Sequence, residues 1–361
     1  MIQTDGLAPL NGTCKAFIVG CSGKALDAEE RAFIVDERPF GLILFGRNCR
    51  DPSQVADLAA SFREVTGRPD APVMIDQEGG RVRRLKPPHW PDFAPAAKIG
   101  EIAAADAGAG RRAAWLHGRL LAVELRALGI DMDCAPVLDV RAPGMSDAIG
   151  DRSFGDDATI VAALGLALAA GLTAGGVVPV MKHMPGHGRG RSDSHVSLPV
   201  VDADLETLTA TDFAAFAAAA DGIAAGMTGH LVFNAVDRDN PATVSRRVVS
   251  DIIRGRIGFN GLLMTDDISM NALSGDHRTR AVEAFHAGVD LVLHCNGVME
   301  EMRGIAAAAP VLADDAAARA DRALAVRSHV EPFDNASGRS EYEALLGRVD
   351  WQGEPQKADA T

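Results

Sequence analysis

Basic residues and cysteines are both scarce in this 361-residue chain. Its 36 Lys and Arg face 49 Asp and Glu, a formal net charge of -13. An acidic body repels phosphate backbones, which argues against nucleic acid as a partner. The five cysteines, Cys14, Cys21, Cys49, Cys134 and Cys295, are odd in number and form no C-x-x-C pair. Neither a disulfide framework nor a thiolate zinc site is expected. Cys21, Cys134 and Cys295 sit in or beside apolar runs and read as small core residues. No basic stretch followed by an apolar run opens the chain, so no signal peptide is expected. No segment approaches roughly 18 uninterrupted apolar residues, the length that spans a bilayer. These absences lead to the expectation of a cytoplasmic protein with no membrane partner. A Pro/Ser/Gly-rich linker and a repeat of fixed period are missing too, which points to one domain.

What is present is an alternation. Short apolar runs fall at 15–20, 41–45, 72–76, 131–136, 177–183, 222–228, 261–266 and 290–294. Most are rich in Val, Ile, Leu or Met without polar alternation, as strands buried on both faces are. Helical patterns lie between them. Asp27-Ala-Glu-Glu30 reads as a capping box, and Asp51-Pro52-Ser-Gln54 as another with Pro52 at the first helical position. Residues 107–128, 158–174, 205–220 and 245–257 carry apolar stripes, and the alanine-rich stretches at 213–220 and 313–320 read as helices because alanine favours them most. Eight strands joined by helices predict a single (β/α)₈ TIM-type barrel over residues 1–334. The rival is a doubly wound open sheet. It often has a glycine-rich phosphate loop after its first strand, and Gly20-Cys-Ser-Gly23 is too short for one. Residues 335–361 are polar and read as a C-terminal appendage, with Trp351 as a candidate anchor.

Barrel active sites lie at the carboxyl ends of the strands. Four of those ends carry polar residues that a core strand does not need: Asp76-Gln-Glu78, Lys182-His183, Thr228-Gly-His230 and Thr265-Asp266-Asp267. Their convergence on one face is what identifies a site. His183 and His187 stand four apart, the spacing of a helical zinc motif, but Pro185 and Gly186 between them oppose a regular helix, so no metal is expected. His187 reads as a hydrogen-bonding strut, and His183 as a neighbour of a substrate hydroxyl. Asp193-Ser194-His195 is a different pattern. The carboxylate two residues back can turn to the ring, fix its tautomer and raise its proton affinity. Asp266 extends an apolar strand and could be a nucleophile, a metal ligand or a helix cap.

The run Lys182-His-Met-Pro-Gly-His-Gly188, followed by Asp193-Ser-His195 and Leu198-Pro199, resembles the signature of glycoside hydrolase family 3. More narrowly, it looks like the bacterial single-domain β-N-acetylglucosaminidases of that family, which recycle cell-wall fragments. Segments 41–48, 75–82, 149–154 and 265–270 agree in order. The resemblance implies a retaining exo-β-N-acetylglucosaminidase without cofactor, releasing terminal N-acetylglucosamine from muropeptides. It makes Asp266 the nucleophile and His195 the acid/base with Asp193 as its partner, where most glycosidases use two carboxylates. It makes Asp76, Arg84, Arg152, Lys182 and His183 the sugar-binding residues, groups suited to hydroxyls and an acetamide.

Three features depart from the family pattern. Met184 stands where an aromatic is usual, Asn271 where an acid is commoner, and the loop Arg189-Gly-Arg191-Ser192 is unusually basic. Its arginines could tune the loop or meet an anionic aglycone. Three other readings stay open: substrate-assisted hydrolysis using the Asp266-Asp267 pair, phosphorolysis of the same sugar, and a metal-dependent barrel hydrolase.

Overall fold

A computed structural model describes residues 10, 12–192, 197–351 and 353. In chain order the elements are β1 (Lys15–Val19), α1 (Ala28–Glu37), β2 (Pro39–Leu44), α2 (Pro52–Thr66), β3 (Val73–Ile75), α3 (Ala96–Ala105), α4 (Ala107–Ala127) and β4 (Met132–Asp133). There follow α5 (Ala158–Ala174), β5 (Val178–Met184), β6 (Val200–Val201), α6 (Leu205–Ala210), α7 (Asp212–Ala219), β7 (Ala225–Thr228) and β8 (Val232–Phe233). The chain continues through β9 (Leu262–Asp267), α8 (His277–Ala287), β10 (Leu291–His294), α9 (Met299–Ala308), α10 (Asp314–Leu324) and α11 (Asn335–Leu346).

Eight strands close a parallel barrel in the order β1-β10-β9-β7-β5-β4-β3-β2, and β6 pairs with β8 outside it. The eight expected apolar runs are these eight strands. Their alternation sorts the core in two. Ile18, Met74, Met132, Val178, Val180, Met227, Leu262, Met264 and Leu293 point inward and fill the barrel. Phe17, Val19, Leu42, Val73, Met181 and Leu263 point outward and pack under the helices. Burial on both faces is why the strands read as continuous apolar runs.

One end of the barrel is plugged. Ala317, Ala320, Ala323 and Leu324 of α10 join the interior cluster. The chain just before that helix hydrogen-bonds the start of β1, through Ala16 N–H to Pro310 O and Gly12 N–H to Leu312 O. At this end Asp131 takes Arg327 at 2.7 Å and Arg63 at 3.2 Å, and Asp290 takes Arg254 and Arg319 at 2.8 Å each.

Local structure departs from the sequence reading in three places. Asp27 forms the full capping box. Asp51 caps α2 through Gln54 N–H, but the Gln54 side chain reaches Arg50 N–H rather than the cap residue's own, so that box is incomplete. The helix expected over 205–220 breaks at Thr211 into α6 and α7, and residues 248–256 are wound as a π-helix rather than an α-helix.

The stretch from Asn335 begins with α11, which lies against α4. Arg112 and Glu341 form a bidentate pair at 2.8 and 2.6 Å, and Trp351 is half-buried against the core.

Candidate active site

The inward rows of the strands run directly into the site. In β9, Leu262 and Met264 face inward, and two residues on stands Asp266. In β5, Val178 and Val180 lead in the same way to Lys182. In β3, Met74 leads to Asp76 just beyond the strand. Alternation thus delivers two carboxylates and an ammonium to the open end of the barrel. There they line a cavity of ≈ 270 Å³ together with Arg84, Arg152 and His183. All six of these expected residues meet around one space. Asp193 and His195 lie outside the described residues.

The groups form a connected network. Lys182 Nζ is 2.7 Å from Asp76 and 2.6 Å from Glu78. Arg84 donates to the other oxygen of Asp76 at 3.0 Å and its guanidinium sits 4.7 Å from the Phe45 ring centroid. Arg152 grips Glu78 with two nitrogens, at 2.9 and 2.7 Å. Such forked pairs fix orientation as well as charge. Burial pushes the Asp76 carboxyl up, but Lys182 and Arg84 outweigh it and hold the group far below the usual carboxylate range. Burial opposed by Arg152 and Lys182 leaves Glu78 at about 2. Burial likewise works against the Lys182 ammonium, yet Asp76 and Glu78 raise its proton affinity. Lys182 and both carboxylates are therefore charged at neutral pH.

Asp266 is kept ionised as well. Burial would raise its carboxyl, and the imidazoles of His183 and His230, the Asp267 N–H and Lys182 together bring it below its ordinary value. Its Oδ1 accepts from Asp267 N–H at 2.8 Å. Asp267 is already occupied: it accepts from Ser269 N–H and Oγ–H, at 3.0 and 2.7 Å, and from Cys295 N–H at 3.2 Å. His230 Nε2 donates to the Asp267 carbonyl at 2.9 Å, which ties the end of β9 to its neighbour.

His183 is oriented by a residue that the sequence reading missed. Asp139 is fully buried. Its Oδ2 lies 2.6 Å from His183 Nδ1, and its Oδ1 accepts the His187 N–H at 2.6 Å. Burial alone would raise the Asp139 carboxyl, and His183 outweighs it and holds it down. A register shift in the β5–β7 pairing between Met181 and Met184 re-aims the strand here. His183 Nε2 consequently comes within 3.3 Å of Arg152. His187 ties its loop through its main chain. Its backbone N–H donates to Asp139, and among the described residues its buried ring Nδ1 has no hydrogen-bond partner.

Glu78 stands in the polar strand end Asp76-Gln-Glu78, but the sequence reading gives it no role of its own. Its position in Gln77-Glu78-Gly79-Gly80, directly after a strand end, was the available signal. Arg189 points away from an aglycone role. It donates to Asp212 at 2.7 Å and to Thr211 Oγ1 at 3.1 Å, pinning its loop to α7. Among the described residues no group of three or more His, Cys, Asp or Glu is placed to hold a metal ion.

A closed parallel barrel with a charged cavity at the carboxyl ends of its strands defines a barrel enzyme. Comparison with known proteins supplies the family. A profile of the glycosyl hydrolase family 3 N-terminal domain matches residues 14–324. The beta-hexosaminidase of Xylella fastidiosa strain 9a5c is 39% identical over 285 residues, 77% of this chain and 83% of that protein. The beta-hexosaminidase of Aromatoleum aromaticum is 36% identical over 315 residues, 86% of this chain and 88% of that one. NagZ from Neisseria gonorrhoeae in complex with N-trifluoroacetyl-D-glucosamine superposes with a TM-score of 0.80 at 32% identity, covering 95% of this chain and 98% of that one. The same protein in complex with zinc ion gives 0.79 at 31% identity. The chain belongs to glycosyl hydrolase family 3, and it is a glycoside hydrolase.

Proposed function

We propose that the chain is a retaining exo-β-N-acetylglucosaminidase acting on peptidoglycan fragments, N-acetylglucosaminyl-anhydromuramyl peptides among them. The observation that carries this reading is Asp266. It is an ionised carboxylate at the end of an inward strand row, facing a cavity whose other groups are paired with one another. The relatives named beta-hexosaminidases and the relative that binds N-trifluoroacetyl-D-glucosamine support N-acetylglucosamine as the sugar.

In this reading Asp266 attacks the anomeric carbon while the glycosidic C–O bond breaks. His195, made more basic by Asp193, gives its proton to the leaving oxygen. A covalent glycosyl-enzyme results. His195 then takes a proton from water, the water oxygen bonds to the anomeric carbon, and Asp266 leaves. Asp76, Arg84, Arg152, Lys182 and His183 hold the sugar hydroxyls and the acetamide.

Substrate-assisted hydrolysis needs a second acid free to orient the acetamide. Asp267, with both oxygens engaged, does not fit that role. Phosphorolysis differs only in the second nucleophile. Product analysis with and without phosphate separates it from hydrolysis.

The test is turnover of p-nitrophenyl N-acetyl-β-glucosaminide with chelator present, by the wild type, Asp266→Ala and His195→Ala. The expected result is chelator-insensitive turnover that collapses in the first variant and drops about 10²- to 10⁴-fold in the second. Turnover abolished by chelator would overturn the metal-free reading. Cleavage of β-glucosides instead would overturn the sugar.

A further inference from the structure

The chain has a single tyrosine, and it is not at the surface. Tyr342, on α11, is 1% exposed and is the bulkiest of the fully buried side chains among the described residues. Its hydroxyl lies 2.7 Å from Nδ1 of His117, a residue of α4 that is 225 positions away in sequence. The other ring nitrogen, Nε2, lies 2.9 Å from the main-chain oxygen of Glu78. A carbonyl oxygen only accepts, so Nε2 carries the proton, Nδ1 accepts, and the tyrosine O–H donates to it. Burial pushes His117 down to about 4, which leaves it neutral as that arrangement requires. The relay is packed on its flanks too, with the Phe93 and His117 ring centroids 5.3 Å apart and those of His117 and Tyr342 5.7 Å apart.

The far end of this relay is the active site. Glu78 is the carboxylate that holds both Arg152 and Lys182. The next residue, Gly79, has φ +99°, and a Cβ there would lie 2.9 Å from His117 Cε1 and 2.5 Å from Ala94 O. The backbone at Glu78 is thus clamped between α4 and the 93–95 segment. Its height above the cavity depends on where His117 stands.

We propose that α11 is a working part of the active site rather than a cover for the barrel. Through Tyr342 and His117 it fixes Glu78, and through Glu78 it sets Arg152 and Lys182 at the sugar end of the cavity. Tyr342 and His117 are positioning residues: neither touches the cavity. The proposal rests on reading that cavity as the N-acetylglucosamine site. A plain core contact would cost stability when weakened and leave the bound sugar unaffected. A positioning relay moves sugar binding, and it does so in graded order.

The experiment uses the full chain and three variants. Tyr342→Phe removes one O–H and keeps the ring. His117→Ala removes both hydrogen bonds. His117→Gln keeps a donor near the Nε2 position. KM and kcat on p-nitrophenyl N-acetyl-β-glucosaminide are measured well below each variant's unfolding temperature. Loss of ground-state sugar contacts raises KM with little change in kcat. The expected result is a KM raised about threefold in Tyr342→Phe and about tenfold in His117→Ala, with His117→Gln recovering most of the loss. A KM within about 1.5-fold of wild type in both Tyr342→Phe and His117→Ala, with only the unfolding temperature lowered, overturns the proposal. Were the wild type to cleave a different β-glycoside instead, the functional reading would fail alone. The same KM ratios would then be measured on that glycoside and would decide this point independently.

Discussion

The two ends of the barrel are built from the same kinds of residue and do opposite things. At the closed end Asp131 and Asp290 each take two arginines. Each also accepts a strand N–H, that of Val73 for Asp131 and that of Leu263 for Asp290. Alanines of α10 fill the space between the strands. Charge there is spent on holding strands in register. At the open end Asp76, Glu78, Lys182 and Arg152 are also paired, but around a cavity, and beside Asp266 facing into it. The lesson is that pairing does not separate structure from function here. What separates them is whether an unfilled space lies next to the pair.

That contrast can be broken from either side. The largest effect belongs to Asp266. Asp266→Asn should lower kcat/KM by about 10³-fold or more, as loss of a nucleophile does, with the denaturation midpoint unchanged or raised. Steady-state kinetics beside a urea titration would show it. Asp290→Ala should do the reverse. Removing the buried carboxylate leaves the half-buried Arg254 and Arg319 unpaired and costs up to about 3–5 kcal/mol of stability, while turnover per folded molecule stays near wild type. An Asp290→Ala enzyme of normal stability and poor turnover would erase the distinction between the ends.

Glu78→Gln comes next. It leaves Arg152 and Lys182 with a neutral partner, and the expected outcome is KM raised about tenfold with a smaller change in kcat.

Acidity offers a graded probe. His117 and His187 are held neutral by burial, each at about 4 in the folded chain. An unfolded histidine titrates near 6.5, so the unfolded state binds more protons between about 6.5 and 4, and stability falls as pH falls through that window. Glu78 is depressed to about 2, so its contribution is complete above its unfolded pKa and is lost as pH drops from about 4.5 toward 2. Urea midpoints from pH 7 to 3 should decline steadily, and His117→Gln should flatten the first part. Asp266 is itself depressed, so the acid limb of kcat/KM should lie below the ordinary carboxylate range.

Arg189→Ala is expected to be the mildest of the substitutions. Its partner is Asp212 on α7, so KM for a muropeptide should shift no more than KM for a neutral aryl glycoside. A rise for the anionic substrate alone would return Arg189 to the aglycone.

Much of the open end was legible beforehand. The strand rows ending in Asp76, Lys182 and Asp266 follow from period-two alternation and apolar runs, which are local properties. Asp139 was not singled out, although it stands in Val137-Leu-Asp-Val140, where a carboxylate among apolar residues signals a buried partner. Its partner, His183, is 44 positions on and is brought to it by the shift in β5. The break at Thr211 and the π-helix over 248–256 also escaped, since apolar spacing alone does not distinguish tight from wide helical winding. His117 is the extreme case. A lone histidine within α4 announces nothing, and its meaning comes from a hydroxyl 225 residues later. Long-range pairing was the missing information in both cases.

The central claim is that Asp266 forms a covalent bond to the sugar. A 5-fluoro N-acetylglucosaminyl donor accumulates such an intermediate by slowing its breakdown more than its formation. The account expects mass spectrometry of the digested enzyme to find one fluorinated N-acetylhexosaminyl group on the peptide containing Asp266, absent in Asp266→Ala. No adduct, together with tight inhibition by a thiazoline analogue, would contradict it and place the nucleophile in the substrate's own acetamide.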